Sequence, residues 1–371
     1  IYTTSFYEYF LDGKLDQIRI YDSALSAANV TKLYNEIECP AVAVTNAFNT
    51  VLYTGNQSAR SIAVGFEPDF TWIKERNDTD AHFLQDSVRG STYTLYSNNT
   101  AAQFNETQAV TSFTSTGFNL GTYTGTNTTN NTYVAWNWKA GGAAVQNNDG
   151  TIQGANCLVS ANQDAGFSIT KYTGNGISGA TFGHGLGQQV GLSIVKNVGS
   201  STYWYVYSNL LPTNNNLYLN TTDSKQADGV MLGGNSTTVS ISASSAVNTN
   251  SGSYIAYNFA SISGYSKVGS YTGNGNNAGT IVYTGFTPSW VMIKSSSTND
   301  NGGGAWIMYD NKRSTSNPRD KRLFANVSSA ELTNSNYDLD FLNEGFQPLN
   351  GASGGWGFNT LNVDYIFLAI A

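Results

Sequence analysis

The chain has few charged residues for its length. Asp, Glu, Lys and Arg make up 12% of its 371 residues, about half of the level that is usual in soluble domains. The 18 basic and 25 acidic residues give a net charge of −7. Because a phosphate backbone is bound by a basic face, this balance argues against nucleic acid as a partner. Aromatic residues still account for 13% of the chain, which predicts packed rather than disordered structure.

Long apolar runs and cysteines are scarce too. No apolar stretch approaches the roughly 20 residues of a membrane-spanning helix, so we expect no membrane span. The two cysteines, Cys39 and Cys157, lie far apart in the sequence. Two free thiols are the favoured interpretation, with a single disulfide as the alternative. The chain begins at Ile1 rather than Met, so we expect it to continue upstream and read nothing from the missing signal peptide.

Residue types that carry enzyme chemistry are not clustered. The two histidines, His82 and His184, have no nucleophile motif beside them, and we expect each to be hydrogen-bonded in a loop or turn. Acidic, His and Cys residues are not grouped at metal-ligand spacing, so the sequence predicts no metal ion and no cofactor. A carboxylate pair for glycoside hydrolysis stays open, because such partners can be distant in the chain.

What the chain does contain is a threefold internal repeat. The word YTGN occurs at Tyr53–Asn56, Tyr172–Asn175 and Tyr271–Asn274. Each copy is followed by an apolar run that ends in a lysine, 21, 24 and 23 residues after the Tyr (74−53, 196−172, 294−271). Next comes a Leu-aromatic-x-Asn word, and each block closes on an apolar run that begins with Tyr. These later words are Leu95–Asn98, Leu217–Asn220 and Leu323–Asn326, then Tyr133–Trp136, Tyr254–Tyr257 and Tyr365–Leu368. The constant order indicates three copies of one domain.

The local pattern within each copy is that of β-structure. Short runs rich in Val, Ile, Thr and aromatic residues are separated by Gly, Asn, Ser and Asp, and no helical period appears. We therefore predict an all-β chain of three tandem antiparallel β-sandwiches, each jelly-roll-like. The predicted limits are 39–142, 169–265 and 266–371, with a linker at 143–168.

Residues 1–38 have a different pattern. A Gly turn precedes an alternating strand that runs to Tyr21, and Ser26 is placed to cap a short helix over residues 27–35. The segment resembles the last strand and closing helix of concanavalin A-like, laminin G-type domains. The matching residues are Asp12, Gly13, Leu15, Asp16, Ile18, Arg19, Ile20, Tyr21, Ala24, Leu25, Ser26, Leu33, Tyr34 and Asn35. The resemblance implies the C-terminal fragment of such a sandwich, without its binding loops.

The wording of the repeats resembles a repeat domain of virion proteins of marine bacteriophages, found in tail fibres and capsid-attached appendages. The resemblance covers about 46–371 and also includes Asp86–Gly90, and it implies no transferable catalytic or binding residue. Two copies depart from the pattern. Ser208 stands where the other copies have Asp86 and Asp310, and the third copy lacks the tryptophan pair of Trp136 and Trp138.

Candidate contact residues are those that distinguish the third copy. Its Lys-to-Leu spacing is 29 residues (323−294), against 21 in both other copies (95−74, 217−196). The longer segment carries basic residues that are candidates for contact with a ligand or partner: Lys312, Arg313, Arg319, Lys321 and Arg322. A solvated hairpin tip is the alternative. Trp356, in a Gly-rich loop, is a further candidate, whereas Trp72, Trp136, Trp204, Trp290 and Trp306 are predicted core residues. Trp138 is predicted to lie at a seam, where it is a candidate for exposure.

These observations favour a non-enzymatic virion structural protein, a tail fibre or capsid-attached appendage. Its expected partners are other virion or fibre subunits, in a homo-oligomer, and host-surface glycan. The expected location is the surface of an extracellular particle. A secreted or cell-surface adhesin or lectin is the alternative, and a polysaccharide-degrading enzyme is a weaker one.

Overall fold

A computed structural model describes residues 44, 46–297, 304–333, 337–349 and 358–371. The laminin G-like fragment at 1–38, Cys39 and Trp356 lie outside the described residues. The described chain is almost entirely β-structure, which confirms the predicted fold class. No helix in these ranges is long and apolar enough to cross a membrane. Residues 43–371 form one compact unit.

Each repeat consists of two antiparallel sheets. The first contains β1 (Phe48–Thr54), β2 (Arg60–Ala63), β3 (Phe70–Glu75), β4 (His82–Asp86), β5 (Gly90–Tyr96), β6 (Phe104–Asn105), β7 (Val110–Thr114), β8 (Gly117–Leu120), the short helix α1 (Thr124–Asn127) and β9 (Thr132–Trp138). The second contains β10 (Val145–Asn147), β11 (Gly154–Asn162), β12 (Phe167–Thr173), β13 (Ala180–Gly183), β14 (Val190–Asn197), β15 (Tyr205–Ser208), β16 (Leu217–Tyr218), β17 (Met231–Gly234), β18 (Thr238–Ile241), α2 (Ser245–Asn248) and β19 (Ser253–Ala260). The third contains β20 (Ser266–Thr272), β21 (Val282–Tyr283), β22 (Trp290–Ser295), β23 (Ile307–Asp310), β24 (Lys321–Phe324), β25 (Leu332–Thr333), β26 (Leu339–Leu342), β27 (Gly345–Pro348) and β28 (Asp364–Ile370).

The three repeats share one topology. The large sheets contain the orders β1-β9-β3-β4-β5, β12-β19-β14-β15-β16 and β20-β28-β22-β23-β24. The small sheets have the orders β2-β8-β7, β13-β18-β17 and β21-β27-β26. Because the same strand order recurs three times, the repeated words mark equivalent structural positions.

Residues 143–168 are not a linker, contrary to the sequence prediction. They contain β10 and β11, which extend the large sheet of the second repeat beyond β12. Cys157 lies in β11 as a buried free thiol. Burial raises the pKa of this thiol to about 11, so it is protonated and unreactive at neutral pH.

The closing strand of each repeat is buried on both faces. In β9, Tyr133 and Ala135 face the core of their own sandwich, whereas Val134, Trp136 and Trp138 face a central core. That central core combines residues of all three large sheets, among them Tyr257 of β19 and Leu368 of β28. The repeats are therefore packed around a shared interior rather than strung out along the chain.

Trp138, predicted to lie at a seam with possible exposure, is buried at 2%. Its ring contacts Trp290 of the third repeat, with centroids 5.5 Å apart, and Phe259 of the second, 6.4 Å apart. The prediction of exposure is wrong because Trp138 packs against both other repeats. The other five tryptophans that were assigned to the core are buried as predicted.

Candidate functional site

The tyrosine of the YTGN word stacks on the tyrosine of the closing strand. Tyr53 pairs with Tyr133 in register across β1 and β9, and the ring centroids are 5.0 Å apart. Its hydroxyl donates to the carbonyl oxygen of Thr126 at 2.7 Å. Equivalent stacks and hydroxyl bonds are made by Tyr172 and Tyr271. The word therefore closes one end of each sandwich.

The glycine and asparagine of YTGN add further contacts at the same end of each sandwich. A β-carbon at Gly55 would overlap the carbonyl oxygen of Thr128, so no larger residue fits. The backbone N–H of Asn56 donates to Asn127 Oδ1 at 3.0 Å. The same arrangement recurs at Gly174 with Asn175 and at Gly273 with Asn274. The most conspicuous repeated word is thus structural in all three copies.

The Leu-aromatic-x-Asn word accepts a hydrogen bond from the neighbouring repeat. The indole Nε1 of Trp204 in the second repeat donates to the carbonyl oxygen of Tyr96 in the first, at 2.9 Å. Trp306 of the third repeat donates in the same way to Tyr218 of the second, at 2.8 Å. The asparagines of the words accept backbone N–H groups: Asn98 from His82, Asn220 from Trp204 and Asn326 from Trp306.

The first and third repeats are also in direct contact. Arg76 of the first repeat forms an ion pair of 2.8 Å with Glu331 of the third, and the Glu331 N–H donates to the Arg76 carbonyl oxygen. The Asp80 N–H donates to the Ser328 carbonyl oxygen at 3.1 Å. Each repeat therefore contacts both others, and the three form a cyclic, pseudo-threefold body within one chain.

His82 stands at the position that Trp204 and Trp306 occupy in the other repeats. It begins β4, rather than lying in a loop as predicted, and it is fully buried. Its Nδ1 accepts the indole N–H of Trp72 at 2.8 Å. Burial lowers the pKa of His82 well below its ordinary value, opposed by the backbone of Phe324 in the third repeat. The imidazole is thus a neutral packing group.

The second histidine is also a hydrogen-bonded neutral side chain. His184 is buried, and its Nδ1 accepts the N–H of Leu186 at 3.2 Å. Its Nε2 therefore carries the proton and faces the Asn235 carbonyl oxygen at 3.1 Å. Burial lowers the pKa of His184.

The lysine of the apolar run that follows YTGN is buried in each repeat. Lys196 Nζ donates to the carbonyl oxygens of Ser200 and Thr202 and, across the interface, to that of Thr100 in the first repeat at 3.1 Å. Burial lowers the pKa of Lys196 to about 8. Lys74 is equally buried, and its pKa is also lowered to about 8 by burial. Lys294 donates to Thr222 of the second repeat.

A buried carboxylate links the first repeat to the second. Asp86 Oδ2 accepts from Arg89 Nε at 2.5 Å and from the Tyr257 hydroxyl of the second repeat at 2.8 Å. Arg89 also donates to the Leu84 carbonyl oxygen at 3.0 Å. Burial raises the pKa of the Tyr257 hydroxyl well above its ordinary value, so it remains a donor.

An equivalent carboxylate links the third repeat to the first. Asp310 Oδ2 accepts from Arg313 Nε at 2.5 Å and from the Trp136 indole N–H of the first repeat at 3.0 Å. Arg313 also reaches Glu331 at 3.3 Å, and its side chain is 0% exposed. The Arg313 side chain therefore has no exposed surface with which to contact a ligand, and its guanidinium lies 5.4 Å from the Trp136 ring centroid of the first repeat instead.

By equivalence with the other two interfaces, the two departures from the repeat pattern fall on the two sides of the interface between the second and third repeats. The residue equivalent to Asp86 and Asp310 in the second repeat is Ser208, which pairs with Leu192 as Asp86 pairs with Phe70. The residue equivalent to Trp136 and Tyr257 in the third repeat is Leu368. Where the acceptor is missing, the donor on the following repeat is missing as well.

Of the remaining basic candidates, Lys321 alone lines a pocket in the third repeat. Lys312 is exposed, Arg319 and Lys321 are partly buried, and Arg322 is buried with its guanidinium 4.2 Å from the Tyr337 ring centroid. The pocket holds about 600 Å³ and is lined by Arg313, Ser314, Thr315, Ser316, Asn317, Pro318, Asp320, Lys321, Thr333 and Asp338. The structure thus brings Lys321 to an open cavity and assigns Arg313 and Arg322 to packing. The contact role of Lys312, Arg319 and Lys321 stays a prediction.

The shared interior offers no comparable space. A void of about 10 Å³ lies between the large sheets, and every residue around it is hydrophobic, including Trp72, Trp138 and Trp290. This is the lower limit of the space that one ordered water needs, and the lining offers no polar surface to bind it. No cluster of three or more metal-ligating side chains occurs among the residues that the structure describes.

The sequence matches one family model over most of its length. The family described as Domain of unknown function (DUF7483) covers residues 43–371. The chain belongs to this family. The matched DUF7483 region spans all three sandwiches, so the family unit is the whole ring and not one repeat. No curated protein matches the chain.

Proposed function

We propose that this chain is a non-enzymatic structural protein of a phage-like particle, a tail fibre or capsid-attached appendage. Its task is assembly and exposed display, with contact to host-surface glycan. The resemblance of the repeat words to virion proteins suggests the location. The observation that supports a structural role is that the repeated residues make contacts within and between the sandwiches.

Every repeated word contributes to the scaffold. YTGN latches each sandwich, and the asparagine words receive the next repeat, as in the bond from Trp204 to Tyr96. The perturbed histidines, lysines and tyrosines owe their pKa shifts chiefly to burial in packed interiors. Perturbed groups in a cleft would suggest catalysis, whereas these groups stabilise contacts within and between sandwiches.

The location is testable on particles. Antibodies raised against the purified chain should label fibres or capsid appendages in immunogold electron microscopy of particles from the culture that makes it. Labelling confined to cell surfaces would replace this proposal with the adhesin alternative. Light scattering of the purified chain then measures the predicted homo-oligomer, and a monomer at working concentration would contradict that part.

A further inference from the structure

The pocket of the third repeat has walls that are held in place. Asn317 bonds both backbone groups of Phe341 through its side chain, at 2.7 and 2.9 Å. Arg319 exchanges two backbone hydrogen bonds with Leu339, at 2.7 and 3.2 Å. The long segment after β23 is therefore docked along β26 as an extra strand-like layer. A cavity with such walls is preformed, which lowers the entropy lost when a ligand binds.

The other side of the segment is tied down as well. The Ser314 hydroxyl donates to Asp320 Oδ1 at 2.7 Å and accepts from the Lys321 N–H at 3.1 Å. Thr315 and Ser316 lie at the exposed rim. The rim hydroxyls are thus presented from a segment that is anchored at both ends.

One carboxylate oxygen at the pocket has no hydrogen-bond partner. Asp338 is only 6% exposed, lines the cavity, and its Oδ1 accepts no hydrogen bond. Such a buried acceptor costs about 1–3 kcal/mol and more if charged, so most native structures satisfy it. Burial raises the pKa of Asp338; the neighbouring Asp320 acts in the same direction, and the charge of Arg322 opposes it. This oxygen is itself closed to solvent, so a ligand hydroxyl in the cavity would satisfy it after a rotation of the Asp338 side chain.

The lining determines the class of ligand. Two carboxylates, Asp320 and Asp338, stand against Lys321, while the positive charge of Arg313 is already paired with Asp310. With no excess of positive charge, the cavity does not favour an anion. Hydroxyl, amide and carboxylate groups dominate the walls, which suits a polyhydroxylated molecule. The volume of about 600 Å³ lies within the 300–1,000 Å³ that is usual for small-ligand sites.

We propose that this pocket binds a neutral hexose unit of a glycan, with the Asp338 carboxylate accepting a sugar hydroxyl. The inference rests on the proposed display function and names its ligand as neutral rather than acidic. It places the sugar contact on Asp338 and the rim residues Thr315 and Ser316, and not on the basic side chains.

A matched pair of aspartates tests the proposal. Asp340 lies two residues further along, also with a partner-free Oδ1, but it does not line the pocket. The labelled full chain is applied to an array of immobilised neutral and acidic oligosaccharides. We expect a neutral, hexose-containing glycan to bind, at least tenfold more weakly for Asp338→Ala, and within twofold of wild type for Asp340→Ala.

A second variant fills the cavity from its rim. Ser316→Trp should abolish the same binding without touching Asp338, so the test survives if Asp338→Ala misfolds. Binding to acidic glycans alone, binding that both pocket variants retain, or no binding at all would overturn the proposal. None of these results bears on the immunogold labelling, so a failed glycan test leaves the structural role standing.

Discussion

The substitution Tyr257→Phe isolates one hydroxyl at the interface between two repeats. It removes the group that donates to Asp86 Oδ2 at 2.8 Å and accepts from Arg89 at 3.3 Å, and it keeps the ring that stacks on Phe70, with centroids 4.3 Å apart. Asp86 retains its ion pair with Arg89. The change therefore tests the polar link between the first and second repeats without opening a large cavity.

The expected loss follows from the charge and burial of the acceptor. A hydrogen bond to a charged group contributes about 1.5–3 kcal/mol, against about 0.5–1.5 kcal/mol between neutral groups. The side chain of Asp86 is 0% exposed, so water cannot replace the lost donor. We expect Tyr257→Phe to lower the free energy of unfolding by about 2 kcal/mol.

The control is a buried tyrosine with a neutral acceptor in its own repeat. Tyr172 donates to the Val247 carbonyl oxygen at 2.7 Å, and Tyr172→Phe should cost about 1 kcal/mol. Both variants are compared with wild type by urea unfolding at pH 7, followed by tryptophan fluorescence. Equal losses for the two variants would refute the special weight given to the inter-repeat carboxylate. If the wild type unfolded in two or more separate transitions, the repeats would not be coupled, and that result would refute the closed ring itself.

Three further predictions use other contacts. Lys196→Met removes a cation whose pKa of about 8 lies below its unfolded value of about 10.4. As pH rises, the folded state loses this proton before the unfolded state does, so the stability of the wild type relative to the variant should increase by about 1.4 kcal/mol between pH 7 and pH 9. Stabilities from urea unfolding that change in parallel with pH for both proteins would contradict the shift. Gly174→Ala drives a β-carbon into the Thr249 carbonyl oxygen, whereas Gly199→Ala meets only Asn197 Oδ1 at 3.7 Å; thermal unfolding should show a loss of about 2 kcal/mol for the first alone. Ser208→Asp places a carboxylate at a position that is 1% exposed, where the repeat pattern has Leu211 in place of the arginine and Leu368 in place of the donor. It should therefore lose about 3 kcal/mol or more, while Ser208→Ala stays within about 1 kcal/mol of wild type; a tolerated Asp would show that the donors are dispensable.

The sequence predicted the units well because their contacts are local and repeated. Strands such as β3 and β9 follow from short β-branched and aromatic runs, and the YTGN turn follows from its Gly and Asn. The strands β10 and β11 were missed because they belong to the second repeat alone, so no equivalent in the other copies marked them.

The shared interior was missed although the sequence carried a sign of it. In Tyr133–Trp138 nearly every side chain is large or apolar, at odd and even positions alike. A strand with one exposed face alternates instead. A strand that is apolar on both faces must pack against other residues on both sides, and here the neighbouring repeats pack against the second face. Pairing across those interfaces, as between Asp310 and Trp136, depends on residues more than 170 positions apart, which composition and spacing do not reveal.

The ring changes what the repetition is for. Three copies of one domain can supply three linked binding sites, but here the repeated words face a common interior or a neighbouring copy. The pocket depends on the segment that lengthens only the third copy, between Lys294 and Leu323. Because this segment belongs to the third copy alone, the pocket is not repeated within the chain, and the chain by itself gains no avidity from it, since avidity requires several linked sites. If glycan contact is the function, multivalency must therefore come from many chains displayed on one particle, and isolated chains should bind an immobilised glycan far more weakly than the particle does.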